Sequence, residues 1–338
     1  MKRICLALVL LCLLLTGCVS QQVAAPYAEG TLQIHYIDVG QADCIFLRCG
    51  EDTMLIDGGN VEDSDLVVSY LLEQDVTKLD YVVNTHAHED HVGGLPGVLA
   101  VYEAKNIWCP VEEYSSKCFE DFLYYADQQY LELTKPVVGS TYPLGEAEIT
   151  VLGPVYDYDE TNDASIVLRV DHGENSFLFT GDAETAAEKD ILGYGMDVSA
   201  DVLKVGHHGS DTSTCYQWLR EVAPSYAVIQ VGEGNTYGHP HEPALSRLED
   251  AGVTVYRTDL HGHIVCTSDG TDIAFSANEN MPVTAPMEKT EYYIGNKNSK
   301  KLHLPSCSGA PKLENQVPFF SYDMAIAFGY TPCGNCLK

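Results

Sequence analysis

From residue 32 the chain alternates. Leu32-Gln33-Ile34-His35-Tyr36-Ile37-Asp38-Val39 places every second side chain on one face, the period of a β-strand. Residues 44–48 and 53–56 predict two further short strands with turn residues between them. Residues 65–72 predict a helix, 79–84 an apolar strand, and 95–102 and 119–130 two more helices. The second half repeats the style, with strands at 165–170, 177–180, 202–205, 226–231, 254–256 and 263–267. Helices are predicted at 183–192, 213–222 and 242–251. Strands meeting helices in two halves make this an α/β chain and suit two sheets packed face to face with helices outside.

The same pattern divides the chain. Residues 31–276 are long enough for one large core. Residues 277–290 carry Pro282 and Pro286 and read as a linker, and 291–338 as a separate module. At the other end, Lys2-Arg3 precedes an apolar run over residues 4–15, too short to span a bilayer comfortably. That is the pattern of an export signal, covering residues 1–17. It closes on Leu15-Thr16-Gly17-Cys18, which resembles a bacterial lipobox. The resemblance implies lipidation at Cys18, a tether over 18–30, and anchorage to the outer face of the bacterial cytoplasmic membrane. A plain signal peptide with a cysteine at its cleavage site is the alternative.

Charge narrows the partners. The chain carries 19 Lys+Arg against 49 Asp+Glu, a formal net charge of −30. It is uneven: residues 288–338 hold six lysines and four acids, while residues 18–287 carry about −34. Non-specific nucleic-acid binders are usually basic, because phosphate neutralisation supplies their affinity. A phosphate substrate must therefore be drawn by bound metals or by the basic tail. Of twelve cysteines, Cys44, Cys49, Cys109, Cys118, Cys215 and Cys266 are spread through the body. They read as possible disulfide partners or as buried thiols.

The densest chemistry lies in Thr85-His86-Ala87-His88-Glu89-Asp90-His91-Val92-Gly93-Gly94. Three imidazoles and a carboxylate within six residues are the donor types that suit zinc and similar divalent metals. His86 and His88 can face one metal, and Asp90 with His91 a second. The alternative is a solvated polar loop. The motif resembles the HxHxDHxGG metal motif of the metallo-β-lactamase fold superfamily, which implies a four-layer αββα sandwich. By that resemblance Asp57, in Leu55-Ile56-Asp57-Gly58-Gly59, braces the histidine loop. Asp182, in Phe179-Thr180-Gly181-Asp182, is the carboxylate bridging both metals. Read alone, Asp57 is a turn residue and Asp182 a helix N-cap. One of His207 and His208 is implied as the last ligand, with His207 favoured because it lies nearer the strand end. His239 and His241, in Tyr237-Gly238-His239-Pro240-His241, are candidates to bind phosphate or protonate a leaving group.

Five segments narrow the resemblance further: residues 37–43, 161–165, 207–210, 237–241 and 257–259. Together they resemble the soluble hydrolase domain of the ComEC/Rec2 competence proteins. One departure stands out. The separate histidine that usually completes the first metal position has no evident counterpart. His172 lies in an expected hairpin turn, and Asn162 or Asp163 occupies the more plausible place. Oxygen donors there admit Mn²⁺ as well as Zn²⁺. Two such metals would lower the pKa of a shared water and clamp an electrophile opposite it, with Asp90 orienting that water.

The tail carries His303-x3-Cys307 and Cys333-x2-Cys336, ligand spacing for a closed structural zinc site. Disulfide formation is the alternative. It resembles the metal-binding domain of the Ada DNA-repair protein. In that family the first ligand is a methyl-accepting cysteine, and His303 stands in its place. Lys297, Lys300, Lys301 and Lys312 could touch nucleic acid. The sequence thus predicts an exported, tethered hydrolase with two divalent metals and a tail zinc, cleaving a phosphodiester, with extracellular DNA as the leading substrate. A small phosphoester or a lactam is the enzymatic alternative, and a non-catalytic DNA-binding or adhesion lipoprotein the other.

Overall fold

The structure is a computed structural model that describes residues 30–277, 293–304, 307–312, 315–319, 322–327 and 329–337. The expected export signal, the Cys18 lipidation site, the tether up to residue 29 and nearly all of the expected linker lie outside the described residues. Among the described residues no helix is long and apolar enough to cross a membrane.

Two sheets face each other. The first is built from β1 (Leu32–Tyr36), β2 (Ile45–Cys49), β3 (Asp52–Ile56), β4 (Lys78–Val83), β5 (Glu103–Trp108), β6 (Leu133–Thr134) and two late strands. The second takes β7 (Thr141–Leu144), β8 (Ala147–Gly153), β9 (Val167–His172), β10 (Asn175–Phe179), β11 (Val202–Lys204), β12 (Tyr226–Ile229) and β13 (Thr254–Arg257). β14 (Ile264–Ser268) and β15 (Ile273–Ala277) return to the first sheet, whose order is β15-β14-β1-β2-β3-β4-β5-β6. The second runs β13-β12-β11-β10-β9-β8-β7. β15 ends one residue inside the expected linker.

The alternation read from the sequence explains the central layer. Leu32, Ile34 and Tyr36 of β1, with Ile45, Leu47, Met54 and Ile56, meet Ile149, Val151, Leu168, Val170, Phe177 and Phe179 of the opposite sheet. The other faces are covered by helices. α1 (Ser64–Glu73), α2 (Glu89–Val92), α3 (Leu95–Val101) and α4 (Lys117–Gln128) lie on the first sheet's side, burying Val67, Leu71, Leu95, Val98, Phe119 and Phe122. Ser116 starts α4 by accepting the Phe119 N–H at 3.3 Å. α5 (Thr185–Tyr194), α6 (Tyr216–Val222) and α7 (Glu242–Asp250) cover the second sheet with Ile191, Trp218, Leu219 and Leu248. A short α8 (Thr258–His261) follows β13. This is the four-layer αββα sandwich.

In the body, sequence patterning missed β5, β6, β7, β8 and β15. β5 reads Glu-Ala-Lys-Asn-Ile-Trp, its outward side chains polar because Lys105 pairs with Asp80 of β4. β7 and β8 close the edge of their sheet, where exposed positions mask the alternation.

The tail forms a small sheet of β16 (Tyr293–Asn296), β17 (Lys301–His303), β18 (Gln316–Phe319) and β19 (Thr331–Pro332), with α9 (Tyr322–Ala327). Its apolar centre is Leu302, Ala325 and Tyr330. It meets the body at α6, where Gln217 Nε2 donates to Gln316 O at 3.3 Å and Arg220 to Gln316 Oε1 at 2.6 Å.

Candidate metal centre

The site lies at the C-terminal ends of strands. In the first sheet β3, β4 and β5 run parallel, and in the second β10, β11 and β12 do. Open α/β sheets bind ligands there because parallel strands all deliver their following loops to one edge. β4 feeds the histidine loop, β10 feeds Asp182, and β11 feeds His207 and His208.

Asp57 holds the histidine loop in place. It sits just after β3 with φ 59° and is buried. Its carboxylate accepts the Thr85 N–H at 2.7 Å, the Thr85 hydroxyl at 2.6 Å and His91 Nδ1 at 2.8 Å. Gly58 N donates to His91 O and Gly94 N to Gly59 O. Glycine is required at that crossing, since a Cβ on Gly94 would stand 2.0 Å from Gly58 O.

His86, His91 and His208 are each aimed by a second ring nitrogen. His91 gives its Nδ1 proton to Asp57, which turns Nε2 toward Asp182 Oδ2 at 3.3 Å. His208 donates Nδ1–H to Gln230 O at 3.0 Å, leaving Nε2 3.3 Å from Asp90 Oδ2 and 3.6 Å from Asp182 Oδ2. Beneath it Asp43 Oδ1 lies 3.2 Å away, and Asp43 Oδ2 is 2.5 Å from the fully buried Lys204 ammonium. His86 turns Nδ1 to Thr85 and Ser165 hydroxyls and Nε2 toward His88 Nδ1, 3.0 Å away. Such outer partners fix tautomer and ring orientation before any metal arrives.

Donor atoms of Asp90, His91, Asp182 and His208 all lie within 4.8 Å of one another. His91 Nε2, His208 Nε2 and Asp182 Oδ1 are buried without a hydrogen-bond partner. Buried polar atoms left unpaired are costly, and nitrogen and oxygen donors converging this way fit a divalent cation. Charge agrees. Burial opposes ionisation of Asp182, yet His91 and His208 hold its carboxyl well below the usual range. Burial likewise opposes a proton on His91, but Asp182, Asp57 and Asp90 push its pKa well above the ordinary value. Without cations the site balances its carboxylates with protons; metals would replace them.

The geometry separates two pairs of histidines that the sequence left open. His207 was favoured as the last ligand, but the four-donor group takes His208. Both residues adopt left-handed backbone, φ 48° and 50°. That turn drives the His208 ring into the core and leaves His207 partly exposed, its Nδ1 3.3 Å from Glu184. His241 was a candidate, with His239, to bind phosphate or protonate a leaving group. Its ring instead spans Asp211 and the Tyr237 carbonyl at the start of α7, bracing the loop.

His239 does face the site. It lines a cavity of about 330 Å³ with Gln41, His88, Asp90, Asn162, Asp182, His207 and His208. Gln41 Oε1 accepts the Gly232 N–H at 3.2 Å, so Gln41 Nε2 points at His239 Nδ1, 3.3 Å away. Nδ1 therefore accepts and the proton sits on Nε2. Burial, then His207 and His208, lower the His239 pKa to about 4, so it is a neutral N–H donor.

The missing third histidine stays missing. His172 ends β9 and bonds Ser268, in the hairpin the sequence predicted. Asp163 accepts the Glu184 and Ala187 N–H groups and anchors the start of α5. Sequence reasoning assigned no role to Gln41, Asp43, Glu184 or Lys204. Only Lys204 left a signal, a charge inside an apolar strand.

In the tail, His303, Cys307, Cys333 and Cys336 bring four donor atoms within 4.8 Å. The Leu304 N–H reaches Cys336 Sγ at 3.4 Å, and Cys336 N and Leu337 N bond Cys333 O. All described cysteines are free thiols, those of the body included. A nitrogen and three sulfurs at this spacing suit tetrahedral zinc.

A family profile described as the metallo-beta-lactamase superfamily matches residues 37–233. The chain is 30% identical over 251 residues to ComE operon protein 3 of Bacillus subtilis (strain 168), covering 69% of this chain and 32% of that protein. It is 31% identical over 254 residues to competence protein ComA of Neisseria gonorrhoeae, covering 74% of this chain and 34% of that one. The chain thus spans about one third of the length of these relatives. Among solved structures, the metallo-beta-lactamase fold protein YhfI from Bacillus subtilis aligns with 70% of this chain and 100% of its own, at TM-score 0.49 and 13% identity.

Proposed function

The chain belongs to the metallo-β-lactamase superfamily, and from that premise we propose that it is an exported, metal-dependent phosphodiesterase that cleaves DNA outside the cell. The observation that carries this reading is the pair of donor sets, His86 with His88 and Asp90 with His91, Asp182 and His208, around one cavity bordered by a neutral histidine. Its likeness to competence proteins supports a nucleic-acid substrate.

Metals held there would supply the charge that offsets a phosphodiester's oxygens and the acidification of water. The rest falls to the chain's own side chains. Asp182 lies between the two donor sets, 4.0 Å from His86 Nε2 and 3.3 Å from His91 Nε2. Burial opposes charge on Asp90, but His91 and His208 hold it ionised, so it can accept a hydrogen bond from a water and orient it. His239 offers Nε2–H to an oxygen of the substrate, stabilising charge as it develops. The histidine loop is fixed by Asp57 and does not have to rearrange to accept substrate.

We place the protein on the outer face of the cytoplasmic membrane through a lipid at Cys18, on the strength of the residue 15–18 motif. The tail would hold one structural zinc and bring Lys300, Lys301 and Lys312 toward the DNA backbone.

A second reading has its own observation. Asp38, Glu62, Asp63 and Glu89 line a groove of about 680 Å³ that continues from the metal cavity through Gln41, Asp90 and Tyr237. An acidic groove favours a small phosphodiester with a cationic leaving group, such as a choline phosphoester. The test offers the Mn²⁺- or Zn²⁺-loaded chain single-stranded DNA, a bis-aryl phosphate, phosphocholine esters and a lactam. DNA and the bis-aryl ester should turn over, and His88→Ala should abolish both. Turnover of phosphocholine esters alone selects the second reading. Lactam cleavage alone, or no turnover by metal-loaded chain, rejects both.

A further inference from the structure

The first metal position lacks a ligand. His86 Nε2 and His88 Nδ1 face each other at 3.0 Å, and Asp182 Oδ2 reaches within 4.0 Å of His86 Nε2. Two imidazoles and one carboxylate leave a fourth place open; His172 is engaged with Ser268 and Asp163 with the start of α5.

Asn162 does. Its side chain lines the cavity with His88 and Asp182. Its Nδ2 is 3.2 Å from Glu184 Oε1. A carboxylate can only accept, so the amide nitrogen must face Glu184 and the oxygen must face away from it. That Oδ1 is buried and has no hydrogen-bond partner. The turn carrying it is tied to the other ligands. Ser165 N donates to Asn162 O, and Ser165 Oγ meets both Asp182 N, at 3.1 Å, and His86 Nδ1, at 3.4 Å. An acceptor aimed by a charged partner, desolvated and left unpaired among the residues lining the same cavity as His88 and Asp182 is the pattern of a ligand awaiting its cation.

We propose that Asn162 Oδ1 completes the first metal position, in place of a third histidine, with Glu184 as the positioning carboxylate. This rests on the two-metal reading of the site. The donor set then holds two nitrogens and two oxygens, harder than a three-histidine set, so the position prefers Mn²⁺ more than a histidine-rich site would. His207 is the competing donor: its Nδ1 faces the same Glu184 at 3.3 Å and its Nε2 lies 3.7 Å from Asp182. Its ring is about a quarter exposed, so its Nε2 can be satisfied by water, whereas the Asn162 oxygen cannot.

The experiment titrates the full chain with Mn²⁺ alone, following stoichiometry by calorimetry and exchange coupling between two Mn²⁺ ions by electron paramagnetic resonance. Tail ligands are soft and are pre-loaded with Zn²⁺. Wild-type chain should bind two Mn²⁺ and show the coupled signal. Asn162→Leu, of similar volume, should weaken one equivalent by more than roughly 100-fold and leave an uncoupled signal. Asn162→Asp, which keeps an oxygen donor, should retain both. If Asn162→Leu does not fold, Asn162→Ala, which also removes the oxygen donor, takes its place with the same expectation. Two coupled equivalents at unchanged affinity in Asn162→Leu would overturn the proposal, as would loss of one equivalent in Asn162→Asp. Loss of one equivalent in His207→Ala but not in Asn162→Leu would assign the place to His207. A wild-type chain that binds no Mn²⁺ or Zn²⁺ in the body defeats the two-metal reading itself, a different failure.

Discussion

The two candidate metal centres of this chain are held by different means. In the body every donor hangs from the end of a core strand or from a loop tied to one, and three of the rings are fixed by a second contact: Asp57 under His91, Gln230 under His208, Ser165 behind His86. Three apolar clusters flank the sheets and owe nothing to the metals. In the tail the same job is done by the ligands alone. Leu302, Ala325 and Tyr330 are its buried centre, and its strands are two to four residues long. The body is a fold that carries a metal site, and the tail is a metal site that carries a fold.

Chelation should break that comparison open most widely. Removing metals should abolish hydrogen-exchange protection at the Leu302–Cys333 and Tyr330–Ala325 contacts, because structural zinc supplies on the order of 10 kcal/mol of folding energy in such modules. The body should keep its cooperative melt. Equal loss in both regions would mean the body also folds around its metals.

Point changes sharpen the contrast. His91→Ala should remove phosphodiester turnover while the melting transition of the body remains, and Cys333→Ser should do the reverse in the tail, unfolding it with turnover of a bis-aryl phosphate retained. His239→Ala should lower kcat by roughly 10²–10⁴-fold, the range for a positioned proton donor, whereas His241→Ala should cost much less, as a loop brace. The His239 pKa near 4 fixes the sign of its pH effect: it stays neutral throughout pH 5–8, so its contribution is flat there. An inflection near pH 6.5 that vanished in His239→Ala would contradict that assignment. Smallest is Asp57→Asn, which keeps shape but weakens the hold on His91 and should reduce metal affinity by about 10–100-fold.

Much of this was legible in the sequence because it is local. Alternation in residues 32–39 marked β1, and six consecutive positions from His86 carry four donors. Asp57 and Asp182 were identified by resemblance, and the structure brings both to the histidine loop. What could not be read depends on contacts across the chain. His207 and His208 are adjacent in sequence, and only the left-handed turn decides which one enters the core. His239 and His241 share a loop, and Asp211 claims one of them. Asn162 and Asp163 stood as alternatives for the missing ligand, and only Glu184, 22 positions from Asn162, distinguishes them by turning the Asn162 oxygen away from itself. Lys204 under Asp43 is a charge buried in an apolar strand, which patterning treats as an exception.

On the proposed function, phosphodiester hydrolysis requires two metals in the body and not the fold alone. The direct measurement is bis-aryl phosphate hydrolysis by the full, metal-stripped chain, its tail first refilled with Zn²⁺, as Mn²⁺ is added stepwise. Turnover should be absent at the start, rise as the body fills, and level off at two equivalents; His88→Ala should stay inactive throughout. Turnover in the metal-stripped chain, or none with both equivalents bound, would contradict the account.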